Sequence, residues 1–182
     1  DHLRLGGSAF AQTLNCIGDD VPTVANPEYF AEAFDAVQRL VKEGIVMAGH
    51  DISAGGLITT LLEMCFANTT GGMEIDLNSV VEKDIVKLLF AENPALVIQV
   101  ADKDKCRMQE ILDNAGICFV KIGAPCEKRH IAVAKDGRTR LFDIEHYRVV
   151  WFDSSYLMDL KQSFNGCASE RLKNYKNQPL RY

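Results

Sequence analysis

Apolar and polar positions along this chain switch repeatedly between a helical and a strand-like period, and the switches mark its elements. Over "ANPEYFAEAFDAVQRLVKEG" (25–44), Phe30, Phe34, Val37 and Val41 recur at helical spacing. Asn26 is placed as an N-cap, Pro27 falls in the first turn and Gly44 lies just past the end. "IVMAG" (45–49) is short, apolar and bounded by glycine, which suits a buried strand. "LITTLLEMCFA" (57–67) returns to a helical period through Leu57, Leu61, Met64 and Cys65.

After "TTGG" (69–72), "MEIDL" alternates as a half-exposed strand does, and "VEKDIVKLLFAE" (81–92) reads as a short helix. "ALVIQVA" (95–101) is the strongest strand signal in the chain. "DKDKCRMQEILDNAG" (102–116) predicts a helix with Asp102 as cap, Met108, Ile111 and Leu112 inward, and Gly116 as stop. "ICFVKIGAP" reads as a strand, and "HIAVAKDGRTRLFDI" as a hairpin turning at Asp136–Gly137. Leu57, Leu61, Cys65, Leu96, Ile98 and Val100 are expected to line one core. "EHYRVVWFDSSYLMDLKQSF" (145–164) predicts a packed helix, with Trp151 as a core or interdomain anchor, giving way to the polar stretch 165–182 as linker. The succession predicts an α+β fold in which a mixed sheet packs with helices as a sandwich. No internal repeat or low-complexity segment interrupts it.

Composition narrows the function classes. The 182 residues suffice for one domain with a sizeable core, and 47% hydrophobic with 25% charged residues is a globular balance. A net charge of -5 with scattered basic residues gives no footprint for a phosphate backbone, so nucleic acid is not an expected partner. No apolar run is long enough to span a bilayer, so no membrane is expected either. The six cysteines show no C-x-x-C spacing and fit reduced thiols in a cytoplasmic protein. The opening at Asp1, without methionine, reads as a piece of a longer polypeptide.

The chemistry concentrates at the strand-to-helix junction "AGHDISAGGL" (48–57). Unpaired N–H groups at a helix start favour an anion, and glycine lets the backbone approach it closely. Asp51 at a strand end suits a hard cation such as Mg²⁺, which takes oxygen ligands shared with phosphates, and Ser53 is placed to donate to an oxygen. The simpler account, which spacing alone favours, makes Asp51 or Ser53 a helix cap and the glycines a tight turn. His50 reads as a hydrogen-bonded structural residue, and Glu92 in "FAENP" (90–94) as an exposed helix-end carboxylate, with a second oxygen ligand or a partner for a buried donor as the other roles open to it. No catalytic Ser-His-Asp order, H-E-x-x-H or Walker A motif is present, and no catalytic residue is assigned.

Four segments taken together, "LGGSAFAQ" (5–12), "GHDISAGGLITTLLEMCFA" (49–67), "LLFAENPALVIQV" (88–100) and "RVVWFDSSYLMDLKQ" (148–162), resemble the large-form phosphoribosylformylglycinamidine synthases. These amidotransferases of purine biosynthesis belong to the wider aminoimidazole ribonucleotide synthase-related family. The resemblance covers nearly the whole chain and implies the second C-terminal-type domain of the synthetase core. It implies an aminoimidazole ribonucleotide synthase C-terminal-domain-like sandwich over 1–145, with a helical extension and linker over 146–182 toward a missing glutaminase domain. Implied with it are the nucleotide-binding half of the parent as a second partner, and formylglycinamide ribonucleotide as substrate of the full enzyme. That enzyme phosphorylates the substrate amide oxygen with Mg·ATP and displaces the phosphate with ammonia from glutamine. By the family pattern, Asp51 is a Mg²⁺ ligand and Ser53 contacts the ATP/ADP nucleotide, while Gly55 and Gly56 are expected to let the helix start approach it. Ala54 stands where the family commonly has a second aspartate. Of the family's two nucleotide sites, catalytic and auxiliary, the auxiliary one is the expectation here. The alternative is a structural or interaction domain of another synthase-related ATP-dependent enzyme, in which the glycine turn is architectural.

Overall fold

Asn26 accepts a hydrogen bond from the Tyr29 N–H and opens α2 (Pro27–Lys42) where the cap signal places it. This computed structural model describes residues 2–175. Along the chain follow α1 (Ala9–Thr13), α2, β1 (Val46–Asp51), α3 (Gly56–Phe66), β2 (Gly72–Asp76), α4 (Ile85–Phe90), β3 (Leu96–Val100), α5 (Lys105–Asn114), β4 (Gly123–Cys126), β5 (His130–Lys135), β6 (Arg138–Asp143), α6 (Ile144–Gln162) and α7 (Cys167–Asn174). The chain divides into two compact units, one through Met64 plus Leu77–Ile122, the other Cys65–Asp76 plus the residues from Gly123 onward.

In the first unit β1 and β3 pair antiparallel, with His50 opposite Val97 and Asp51 opposite Leu96. A core of Ala36, Leu40, Ile45, Ile111 and Leu112 joins α2 to α5, and Ile98, Val100 and Met108 pack against it. Each large aliphatic side chain fully withdrawn from water contributes roughly 1.5–3 kcal/mol, so this cluster holds α2 and α5 together. The inward face of α2 is thus the Ala36/Leu40 face. Phe30, Phe34 and Val41 are exposed, Phe34 at 55%. Helical spacing identified the helix but not its buried side, because α2 is apolar on both.

Four further expectations change in detail. The strand β1 is not buried within the chain, since Met47, Ala48 and Gly49 are exposed. The single core proposed for Leu57, Leu61, Cys65, Leu96, Ile98 and Val100 is divided. The three α3 residues are buried, Ile98 and Val100 pack with α2 and α5, and Leu96 is 48% exposed. Asp102 does not cap α5 but starts a short 3-10 turn, Asp102–Asp104, and pairs with Lys105. The helix after Val81 is limited to Ile85–Phe90 because Asp84 caps it, accepting from Val86 and Lys87 N–H.

The second unit holds a four-stranded mixed sheet in the order β4-β2-β5-β6, with β2 parallel to β5 and antiparallel to β4. Residues 117–122 are not strand, so the predicted "ICFVKIGAP" strand contracts to β4. The hairpin β5–β6 turns at Asp136 and Gly137 with φ of 50° and 72°, the pair of positive values a two-residue turn needs. Ile131 and Val133 point inward on alternate residues and are fully buried. Arg129 binds the loop after α3, donating to the carbonyl oxygens of Cys65 (3.1 Å), Asn68 (2.7 Å) and Gly71 (3.0 Å), and pairs with Glu145 at 2.8 Å. Asp143 caps α6 by accepting from His146 N–H. Within the polar stretch after α6 lies α7, which is tied back by Arg171 to Asp159 at 2.7 Å and by the stacked rings of Phe152 and Tyr175, 4.1 Å apart. Residues 176–182 of the expected linker lie outside the described residues. Trp151 contacts Phe66, with ring centroids 5.6 Å apart, and stays half exposed.

Candidate functional site

The turn from Asp51 to Gly56 carries Asp51, Ser53, Gly55 and Gly56, and its backbone is held by hydrogen bonds at nearly each step. Thr60 Oγ1 donates to the Asp51 carbonyl at 3.0 Å, and His50 Nδ1 donates to the same oxygen at 2.7 Å. Ile52 N–H donates to Ala95 O at 2.8 Å, continuing the β1–β3 pairing into the turn. Gly56 N–H donates to Ser53 O at 2.9 Å, and Thr59 Oγ1 donates to Gly55 O at 3.1 Å. The two helical threonines that anchor the turn went unread in the sequence. Their signal was a pair of hydroxyl residues within the first turns of α3, where such side chains bond backward to the backbone.

Glycine is required here for two reasons. Gly55 and Gly56 both have positive φ, 89° and 72°. A Cβ on Gly56 would lie 2.6 Å from Leu89 O and 2.7 Å from Phe90 Cα, so the turn packs directly on the end of α4.

The side chains of Asp51 and Ser53 stand apart from this scaffolding. Asp51 is 69% exposed, and beside it stands His50, whose Nδ1 lies 3.5 Å from Asp51 Oδ1 and whose Nε2 lies 3.3 Å from Glu63 Oε2. Ser53 is exposed. The residue immediately before α3 is Gly55, so neither Asp51 nor Ser53 stands at the position next to its first residue, Gly56. Among the described residues no group of three or more His, Cys, Asp or Glu side chains is arranged to hold a metal ion. As a hard carboxylate with open access, Asp51 fits Mg²⁺ as a single ligand that needs phosphate, water or other protein oxygens to complete the shell.

Glu92 is not the exposed helix-end carboxylate expected of it. Its Oε1 accepts from Gly55 N–H and from Ala9 N–H, both at 2.8 Å. Asn93 beside it accepts from Arg4 N–H at 3.0 Å and donates to His2 O at 3.1 Å. Phe10 stacks on Phe90 with ring centroids 4.8 Å apart. Three separate sequence segments, 5–12, 49–57 and 88–94, thus meet at one place in the first unit.

The family described as AIR synthase related protein, C-terminal domain, matches residues 2–136, a span that includes this meeting point. The chain belongs to that family. As a member of the AIR synthase-related C-terminal domains it is similar to the human protein named phosphoribosylformylglycinamidine synthase, at 32% identity over 179 residues, covering 96% of this chain and 13% of that protein. The Arabidopsis thaliana protein named probable phosphoribosylformylglycinamidine synthase, chloroplastic/mitochondrial, is 34% identical over 175 residues, 95% of this chain and 12% of its own length. This AIR synthase-related domain therefore spans only about an eighth of these relatives. Among solved structures, Thermotoga maritima PurL complexed with ATP superimposes with a TM-score of 0.56 at 16% identity, over 63% of this chain and 20% of that one. The likeness supports the mixed α+β fold, and the same T. maritima protein has also been solved complexed with FGAR and with ADP.

Proposed function

We propose that this domain contributes a Mg²⁺–nucleotide site to a phosphoribosylformylglycinamidine synthase. The parent reaction joins formylglycinamide ribonucleotide, glutamine, ATP and water to give formylglycinamidine ribonucleotide, glutamate, ADP and phosphate. Family membership supplies the class. The observation that carries the assignment is the turn itself: a backbone fixed by hydrogen bonds that leaves the Asp51 carboxylate and Ser53 hydroxyl exposed.

Asp51 would hold Mg²⁺ through one carboxylate oxygen, and the ion would neutralise phosphate charge beside it. Without a cation, the carboxylate would repel a phosphate. Ser53 would donate its hydroxyl to a phosphate oxygen. Gly55 and Gly56 enter as the shape of the turn, since their N–H groups already donate to Glu92 and Ser53. The remaining ligands and the glutaminase, like the formylglycinamide ribonucleotide site, belong in this reading to the rest of the longer polypeptide. A cytoplasmic location is part of the same reading. It is supported by six cysteines that are all free thiols, as a reducing compartment maintains them. No helix among the described residues is long and apolar enough to cross a membrane.

The internal use of both glycine N–H groups favours a second reading, in which the turn is purely architectural. Asp51→Asn in the full-length polypeptide separates the two. Loss of bound nucleotide and magnesium, measured on the purified protein, is the expected result. Wild-type content in that variant would leave only the architectural turn.

A further inference from the structure

We propose that Glu92 is a positioning residue that sets the Asp51–Ser53 turn by binding two helix starts with one carboxylate oxygen. The inference rests on the nucleotide reading of that turn. Glu92 Oε1 accepts from Gly55 N–H, the residue just before α3, and from Ala9 N–H, the first residue of α1. Both donors belong to the set that a helix leaves without internal partners at its start. A carboxylate that accepts two N–H groups at 2.8 Å makes charge-assisted bonds, stronger than their neutral counterparts.

The bonds reach across sequence separations of 83 and 37 residues, so Glu92 joins parts of the chain that local structure does not join. Asn93 adds a second grip on the N-terminal segment through Arg4 N–H and His2 O. The position of Gly55 is transmitted to the candidate ligands directly, because Gly56 N–H closes onto Ser53 O and Asp51 lies two residues before Ser53. Glu92 thus acts through the turn and touches no ligand. Its acceptor atom matters at a fixed distance. Glutamine keeps that atom in place, aspartate withdraws it by one methylene, and alanine removes it.

The test measures Mg·ADP binding by calorimetry in the full-length polypeptide, with folding of each variant checked by circular dichroism. Glu92→Ala and Glu92→Asp are expected to weaken binding roughly tenfold, and Glu92→Gln by no more than about threefold. In an Asp51→Asn background, Glu92→Ala should add little further loss, since both changes act on one turn. Should Glu92→Ala not fold, the order of the other two decides. Glutamine above aspartate supports positioning, and aspartate above glutamine overturns it by making charge the determinant. Full binding in Glu92→Ala beside lost binding in Asp51→Asn overturns the inference alone. Unchanged binding in every variant, Asp51→Asn included, overturns the nucleotide reading and this inference with it.

Discussion

Gly56 is held in a backbone conformation and a space that only glycine satisfies, and the two constraints can be measured separately. Its φ is 72°, and its added Cβ would meet Leu89 and Phe90 backbone at 2.6–2.7 Å. Gly44 shares the positive φ, at 71°, but a Cβ there would meet nothing within 4 Å. Gly44→Ala is therefore expected to cost about 1–2 kcal/mol in urea unfolding, the left-handed penalty alone. Gly56→Ala adds the clash and should cost about 2–5 kcal/mol. Equal costs would mean that the contact with α4 relaxes freely. Cysteine chemistry follows burial in the same way. Burial pushes the Cys65 thiol up, leaving little of the nucleophilic thiolate, while Cys16, Cys106, Cys118 and Cys167 are exposed. A disulfide-exchange reagent at neutral pH should modify those four first and reach Cys65 only after denaturant is added. Glu92 shows what residue-level reading cannot reach: its partners Ala9 and Gly55 are far off in sequence, and no periodicity encodes a hydrogen bond of that kind.

At the scale of elements, the features that were legible are those fixed by neighbours in sequence. Asn26 with Pro27 opens α2, Asp136–Gly137 turns the β5–β6 hairpin, and the glycine pair marks the start of α3, all from local chemistry. The side on which an element is buried depends on distant partners, and helical spacing alone did not fix it. The apolar stripe Phe30, Phe34 and Val41 faces outward while Ala36 and Leu40 meet α5. Leu61 on α3 is fully buried, so Leu61→Ala should cost about 2–5 kcal/mol in denaturant titration. A cost near zero would contradict its packing. The α2–α5 pair also has an acid-sensitive clasp. Hydrogen bonds from Arg107 first, then Arg39, hold the Glu43 carboxyl below its usual value of 4.5. A depressed folded value means the clasp contributes stability above the ordinary carboxylate range and loses it as pH falls through the folded value. Glu43→Gln should thus lower the melting temperature slightly at neutral pH, and the difference from wild type should vanish at strongly acid pH. A difference independent of pH would rule out the ion pair as its source.

The chain belongs to the AIR synthase-related C-terminal domains through residues 2–136 and spans 13% of its human relative, and its candidate site is one-sided. Asp51 and Ser53 are exposed, and no acidic cluster among the described residues stands ready to complete a metal shell. A site of this kind works when another surface closes over it, because charge stabilisation of a phosphate is strong only where water is excluded. The purified 182 residues are accordingly expected to release no ADP from Mg·ATP in the presence of formylglycinamide ribonucleotide with either glutamine or ammonia. The full-length polypeptide is expected to do so. On the proposed nucleotide reading, the effect of Asp51→Asn in that polypeptide distinguishes between the catalytic and auxiliary sites that the resemblance implies. At an auxiliary site, bound nucleotide stabilises the fold by mass action, so its loss lowers the melting temperature while the single-turnover rate of the chemical step holds. At the catalytic site the rate falls instead, since the cation that offsets the developing phosphate charge is gone. Differential scanning calorimetry and rapid-quench kinetics on the same Asp51→Asn preparation measure the two quantities, and the auxiliary assignment predicts a lowered melting temperature with an unchanged rate. A fallen rate with an unchanged melting temperature would move the domain to the catalytic site.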